Sequence, residues 1–318
     1  GGRGMLTVLL VVIPVFLIIG AGYIAVRLGL FADAYVDGLM VYTQSFAIPV
    51  LLFAALARLD LNAVFDWRLL VSFYTGAAIC FALGVVGARY IFGQRPGVAV
   101  AVGFGALFSN SVLLGLPIME RAYGAEALAS NFAIIAIHAP FCYLLGITAM
   151  EFSRADGRGP AATAMAVGRA MFRNALMIGL ACGFAVNLSG LPLPDPIWAA
   201  VDMVRGSALP AALCGLGGIL TRYALTDKLA QAGMITALSL VLHPSITWVL
   251  SVYVFELPIE FIRSAVVTAA MAPGVNAYVF ANLYDRGKGV AANTVLIATA
   301  TSVLSVSLWL IALSTLEM

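Results

Sequence analysis

Charged residues are scarce in this chain of 318 residues: only 10% are Asp, Glu, Lys or Arg, whereas 63% are hydrophobic. A soluble domain carries about 25% charged and about 45–50% apolar residues, so this composition excludes an ordinary soluble protein. The two histidines and four cysteines form no His-Glu-x-x-His motif, and no Gly-x-Ser-x-Gly motif occurs. We therefore expect neither an enzyme nor a bound cofactor or metal. A net charge of +2 gives no reason to expect a nucleic-acid partner.

Long apolar segments dominate what is present, and the lipid bilayer is their expected surrounding. A helix that crosses a membrane needs about 20 mostly apolar residues. Ten segments qualify, which predicts an all-α polytopic membrane protein with ten transmembrane helices. The segments are residues 5–28, 36–57, 67–91, 98–119, 126–151, 166–188, 198–221, 229–254, 259–283 and 289–315. Residues 1–4, Gly-Gly-Arg-Gly, are interpreted as a remnant of an expression vector.

The positive charges predict how these helices are oriented. Alternate loops hold eleven Lys or Arg on one side of the membrane and four on the other, and the richer side is expected to be cytoplasmic. Both termini are then extracytoplasmic. The richer side holds Arg27, Arg89, Arg95, Arg154, Arg158, Arg169, Arg173, Arg222, Lys228, Arg286 and Lys288, and the poorer side holds Arg58, Arg68, Arg121 and Arg263.

The longest polar stretch divides the chain into two halves of five helices each. Residues 5–152 form the first half, residues 153–165 a cytoplasmic linker, and residues 166–318 the second half. Because five is an odd number, the second half must run upside down relative to the first. The sequence therefore predicts a 5+5 inverted repeat, which is common among secondary transporters.

The fourth helix contains residues that disfavour a regular helix. Ser109, Asn110 and Ser111 can bond to the main chain through their side chains, and Gly115 and Pro117 follow closely. Proline has no amide hydrogen, and its ring clashes with the carbonyl four residues earlier. We expect the helix to break near these residues.

The ninth helix carries a comparable interruption at the corresponding place in the second half. Pro273 and Gly274 are followed by Asn276. Paired broken helices in the two halves of a transporter point to a binding site near the middle of the membrane. The N-terminal ends of half-helices offer amide donors and partial positive charge, so we expect them to bind an anionic group such as a carboxylate.

The two interruptions resemble those of the auxin efflux carrier family, which includes the plant PIN-formed auxin exporters and bacterial malonate and malate permeases. The string Asn110-Ser-Val-Leu-Leu-Gly115-Leu-Pro117 is similar to the family pattern Asn-Thr-x-x-x-Gly-x-Pro, and Pro273-Gly-Val-Asn276-Ala-Tyr278 resembles the bacterial members. The long cytoplasmic loop of many plant exporters is absent, which favours a bacterial permease of the inner membrane.

This resemblance implies a fold like that of sodium/proton antiporters and bile-acid transporters, with the fourth and ninth helices crossing. Helices 1, 2, 6 and 7 would form a scaffold and a homodimer surface. Helices 3–5 and 8–10 would form a transport domain that moves like an elevator. The substrates would be small organic anions, with Asn110 binding the carboxylate.

Further polar residues are candidates for the same site. Gln44 and Ser45 in the second helix could contact substrate or only join helices, and Tyr278 could line the pocket. His138 and His243 could carry a coupling proton or serve a structural role, because histidine titrates near neutral pH. The coupling ion stays open between a proton and Na⁺.

Other functions fit the sequence less well. A sodium-coupled bile-acid-type carrier or a cation/proton antiporter on the same fold is the alternative. Antiporters generally use carboxylates inside the membrane, and no Asp or Glu lies in the middle of a predicted helix. An intramembrane enzyme lacks its motifs, and a receptor would need a soluble domain that these short loops cannot supply.

Overall fold

The computed structural model describes residues 4–153, 157, 159–226 and 229–317. Arg154, Arg158 and Lys228, and residues 1–3 of the interpreted vector remnant, lie outside these residues. The main helices are α1 (Met5–Arg27), α2 (Asp33–Ala57), α3 (Trp67–Ile91), α4 (Pro96–Leu107), α5 (residues 111–123), α6 (Ala125–Ser153), α7 (Gly159–Phe172), α8 (Ala175–Ser189), α9 (Asp195–Leu220), α10 (Leu229–Val254), α11 (Ile259–Ala269), α12 (Val275–Leu283) and α13 (Lys288–Glu317).

Seven of the described helices are long and apolar enough to cross a membrane, namely α1, α2, α3, α6, α9, α10 and α13. The bent pair α7 and α8 would make an eighth span. Helix α6 is the most enclosed of them, because 56% of its apolar 18-residue stretch is buried, whereas the value for α1 is 28%. The structure thus confirms a polytopic, all-helical membrane protein, and α6 is the most buried of these seven helices.

The sixth predicted helix, residues 166–188, is not continuous, and the prediction was wrong there. Helices α7 and α8 meet at an angle of 78°. Asn174 lies between them in an extended conformation, and its side chain accepts a hydrogen bond from the main-chain N–H of Leu176 at 2.9 Å. Asparagine is among the preferred residues for starting a helix in this way. This cap begins α8 as a new helix instead of continuing α7.

Several prolines lie within helices, and three of them are preceded by the same local feature. Pro49, Pro117 and Pro244 each follow a wide π-helical turn that ends two residues earlier, at residues 43–47, 111–115 and 238–242. The wider turn changes the hydrogen-bond register where the proline ring would otherwise meet the carbonyl four residues before it. The carbonyl of Leu240, four residues before Pro244, instead accepts a bond from the Trp309 indole N–H at 2.8 Å.

Glycines let two helix pairs pack with their main chains in contact. A Cβ atom at Gly22 of α1 would overlap the Cys214 carbonyl of α9, and one at Gly217 of α9 would overlap the Ile19 carbonyl of α1. Helices α2 and α8 meet in the same way, where Gly179 lies against the Pro49 carbonyl. Small residues at such crossings are typical of membrane proteins, in which close packing drives association.

Candidate functional site

Both predicted interruptions are present, but the first is displaced from its predicted position. Helix α4 ends at Leu107 and α5 begins at Ser111, so the break lies at residues 108–110. Gly115 and Pro117 were predicted to break the helix, and this was wrong. Gly115 closes the π-helical turn and Pro117 lies in the α-helix that continues from it, so the wider turn accommodates the missing N–H.

The second interruption separates α11, which ends at Ala269, from α12, which begins at Val275. Pro273 and Gly274 lie within it: Gly274 is extended, and Pro273 pairs with Ser109 as in an antiparallel sheet. The N–H groups of Ala270 and Met271 still bond back to α11, but the extended residues after them cannot continue the helical pattern, so their polar main-chain groups need partners elsewhere.

The two interruptions supply these partners to each other. The main-chain N–H of Asn110 donates to the Ala272 carbonyl at 2.9 Å, and Ser109 forms an antiparallel bridge with Pro273. Gly274 lies so close to Asn110 that a Cβ atom on it would be 3.0 Å from Cγ of the asparagine. The broken helices therefore cross, and the crossing fixes the position of Asn110.

Several hydrogen-bond donors lie at this crossing. Helix α5 and helix α12 begin here, and neither is capped by a side chain. The first N–H groups of a helix have no partner inside it. Asn110 and Ser109 are 8% and 6% exposed, and the Nδ2 atom of Asn110 and the Oγ atom of Ser109 are buried without a hydrogen-bond partner. These donors share the positive end of two helix dipoles.

A cavity of about 160 Å³ lies against these donors. An engineered cavity of about 150 Å³ holds a benzene molecule, so the space suits a compound of about six to nine non-hydrogen atoms. The crossing supplies one side of the cavity through Ser109, Asn110, Ser111, Val112, Leu113, Val275, Asn276 and Val279. The rest comes from α2 (Met40, Gln44, Ile48, Leu52), from Phe108, from α6 (Ile135, His138, Ala139) and from α8 (Leu176, Met177, Leu180).

No Asp, Glu, Lys or Arg is among the described residues that line this cavity. The one titratable side chain among the described lining residues is His138, which is 2% exposed. Its ring packs against Phe108 at 4.7 Å and Phe73 at 5.7 Å, measured between ring centroids. The positive potential of the site therefore comes from main-chain dipoles rather than from basic side chains.

Most of the sequence-predicted site residues meet at this cavity. Gln44, Ser109, Asn110, Ser111, His138 and Asn276 line it. Pro273 and Gly274 do not line it but hold the crossing behind it.

Three candidate residues lie elsewhere. Ser45 is exposed on α2 and does not line the cavity, although it is the next residue after Gln44. Tyr278 packs on Tyr223, with ring centroids 4.9 Å apart, and does not line the cavity. His243 is bonded through Nε2 to the Phe73 carbonyl at 2.9 Å and also lies outside the lining.

Sequence reasoning missed the apolar wall that α8 contributes, formed by Leu176, Met177 and Leu180. In a membrane helix these side chains resemble those that face lipid, and only contact with α2 distinguishes them. A weak signal existed in α2, because Met40, Gln44 and Ile48 recur every four residues and so share one helix face.

Comparisons with known proteins were consistent over nearly the whole chain. A family model described as "Membrane transport protein" matches residues 7–310. A protein of Rhizobium meliloti (strain 1021) named "Putative malonate transporter" is 26% identical over 303 residues, which cover 93% of this chain and 92% of that protein. An "Uncharacterized transporter" of Methanothermobacter thermautotrophicus (strain Delta H) is 25% identical over 308 residues, covering 95% of this chain and 97% of that protein.

Proposed function

This chain belongs to the membrane transport protein family, and from that premise we propose that it carries small organic anions across a membrane. The family match confirms the resemblance to auxin efflux carriers and identifies a transporter rather than an enzyme. The name of the Rhizobium relative, which refers to malonate, supports an organic anion as the class of substrate.

One observation carries the proposal: Ser109 and Asn110, whose buried donor atoms have no partner, line a cavity that has no Asp or Glu among its described lining residues. Leaving a buried donor unsatisfied costs about 1–3 kcal/mol. The Nδ2 atom of Asn110 and the Oγ atom of Ser109 are both in this state. A carboxylate has two acceptor oxygens and would satisfy both donors, with the N-terminal amides of α5 and α12 completing its shell.

The position of the cavity supports movement of one group of helices past another. Helices α1, α2, α7, α8 and α9 would be the scaffold and carry the dimer surface, while α3–α6 and α10–α13 would be the transport domain. The cavity lies between the two groups, since α2 and α8 line one part and the crossing with α6 lines the other. An elevator motion would then carry the donors across the bilayer with the anion bound.

The finer architecture belongs to the same proposal. Ten membrane segments in a 5+5 inverted repeat result if α4 with α5, α7 with α8, and α11 with α12 each count as one broken segment. Both termini would be extracytoplasmic and the membrane would be a bacterial inner membrane. The driving force would be a proton, Na⁺ or the substrate gradient alone, and His138 is the residue placed to exchange a proton near the substrate.

A cation/proton antiporter is the second candidate, and the lining argues against it. Cations within a membrane are generally bound by carboxylates. The described lining residues include no Asp or Glu, so no carboxylate on them would compensate the charge of a bound cation.

Thermal unfolding of the purified chain tests the proposal. A ligand that binds only the folded state stabilises it by RT ln(1 + [L]/Kd), about 2.7 kcal/mol at one hundred times Kd. We expect at least one small carboxylate to raise Tm when chloride and sulfate at equal ionic strength do not. The Asn110→Ala variant should remain folded and lose this shift.

Asn282→Ala is the matched control, because Asn282 is exposed at the end of α12 and does not line the cavity. It should keep the full shift. A carboxylate shift that survives in Asn110→Ala would contradict the assignment of the site. A shift with Na⁺ alone and with no acid would favour the cation carrier.

A further inference from the structure

The cavity is chemically divided between its two sides. Every polar group at the crossing comes from two short segments, residues 109–111 and Asn276. They provide the unpartnered amide and hydroxyl beside the starts of α5 and α12, where the N–H of Ser111 already donates to the Ser109 carbonyl at 2.8 Å. This polar end is large enough for one carboxylate, which accepts about four hydrogen bonds.

The wall contributed by α2 and α8 is almost entirely apolar. Its side chains are Met40, Ile48, Leu52, Leu176, Met177 and Leu180. Ile48, Leu52 and Leu180 are no more than 3% exposed, so a ligand in the cavity meets hydrocarbon there rather than water. Gln44 is the single polar side chain on this wall.

We propose that the substrate is a small monocarboxylate with an apolar body, and that a dicarboxylate such as malonate is disfavoured. The carboxylate lies at the crossing and the body lies against α2 and α8. This inference rests on the proposed function and narrows its class of substrate. It also separates this chain from the Rhizobium relative, whose name refers to malonate and which is only 26% identical.

A second carboxylate would lack a counter-charge. Burying an ionised carboxylate without a partner is among the most costly events in a protein interior. Among the described lining residues none is Lys or Arg, and the Gln44 amide could provide a hydrogen bond but no charge. His138 lies among Phe108, Phe73 and Cys142 on the α6 side of the cavity, and not on the wall of α2 and α8 that a second carboxylate would meet.

The size of the cavity sets a second limit. A space of about 160 Å³ holds a body of roughly benzene size at most. Propionate, butyrate, isobutyrate and benzoate fall near or below this limit, whereas an indole-containing acid exceeds it in this conformation.

Matched pairs of acids test the proposal in the purified full-length chain. Propionate and malonate have three carbons each, and butyrate and succinate have four, so each pair differs by the exchange of a methyl group for a carboxylate. Thermal shift or calorimetric titration at neutral pH gives the two affinities. We expect the monocarboxylate of each pair to bind at least about tenfold more tightly than its dicarboxylate.

A variant of the wall should change this preference. Met177 is half-buried, lines the cavity on α8, and has nearly the length of lysine. Met177→Lys supplies the missing counter-charge, so it should raise the affinity for succinate relative to butyrate. Met177→Gln, which adds polarity without charge, should not. If Met177→Lys does not fold, Gln44→Lys places the same charge on the α2 side.

The outcomes separate this inference from the function on which it rests. Suppose that malonate or succinate binds as tightly as its matched monocarboxylate, and that this binding is lost in Asn110→Ala. That result would overturn the monocarboxylate assignment and leave the anion site intact. No binding of any acid, or binding that does not depend on Asn110, would overturn the proposed function itself.

Discussion

Replacing Gly274 by alanine would test whether the crossing must hold Asn110 in one position for a carboxylate to bind. A Cβ atom on residue 274 would lie 3.0 Å from Cγ and 3.2 Å from Oδ1 of Asn110, so the amide must move by a few tenths of an ångström. The main chain at Gly274 has φ −93° and ψ −173°, which alanine adopts without strain. The substitution therefore acts on the neighbouring side chain rather than on the local backbone.

The expected magnitude follows from the bond that is disturbed. A hydrogen bond to a charged group contributes about 1.5–3 kcal/mol, so its complete loss in Asn110→Ala should weaken binding by about 10- to 150-fold. A misplaced amide keeps part of this energy, and we expect Gly274→Ala to weaken binding by about 3- to 30-fold. Isothermal titration with the best carboxylate measures both.

A double-mutant cycle provides the decisive comparison. If Gly274 acts only through Asn110, the double variant should bind no more weakly than Asn110→Ala alone, because coupled residues are not additive. Gly38→Ala is the matched control, since nothing lies within 4 Å of a Cβ atom at that glycine. Full additivity, or unchanged affinity in Gly274→Ala, would refute the argument that the crossing positions the amide.

Three further predictions concern single side chains. Gln44→Ala should change affinity or selectivity and Ser45→Ala should change neither, because only Gln44 lines the cavity; equal effects in a titration would contradict this. Trp309→Phe should lower stability by about 1–3 kcal/mol without changing Kd, since it leaves the buried Leu240 carbonyl unpartnered; calorimetric unfolding measures the loss, and an unchanged Tm would count against it. His138→Gln should abolish any pH dependence of transport while carboxylate binding persists; a pH profile like that of the unmodified chain would exclude His138 as the proton carrier.

The broken helices could be predicted from the sequence because the residues there have strong conformational preferences. Pro273 and Gly274 disfavour a helix at the position where the structure interrupts it. In the first half the interruption lies at residues 108–110, earlier than Pro117 suggested. The π-helical turn at 111–115 accommodates that proline, but a proline alone does not predict such a turn, since Pro140 lies inside α6 without one.

The polar side of the cavity was largely predictable and its apolar wall was not. Asn110 and Asn276 are conspicuous in apolar surroundings, so the sequence already indicated them. Leu176 and Leu180 are leucines like those that commonly face lipid, so their residue type does not reveal the cavity. They reach it because α8 packs on α2. The bend before α8 lies at the capping residue Asn174, and one polar residue within an apolar segment does not by itself predict a bend.

Uptake of a labelled monocarboxylate into proteoliposomes tests the central claim most directly. The purified chain should accumulate or equilibrate labelled butyrate faster than protein-free vesicles, and unlabelled butyrate should compete more strongly than succinate. Vesicles containing Asn110→Ala should behave like protein-free vesicles, whereas those containing Asn282→Ala should transport normally. Equal uptake by Asn110→Ala and the unmodified chain would contradict the claim that the crossed helices form the site through which the anion is carried.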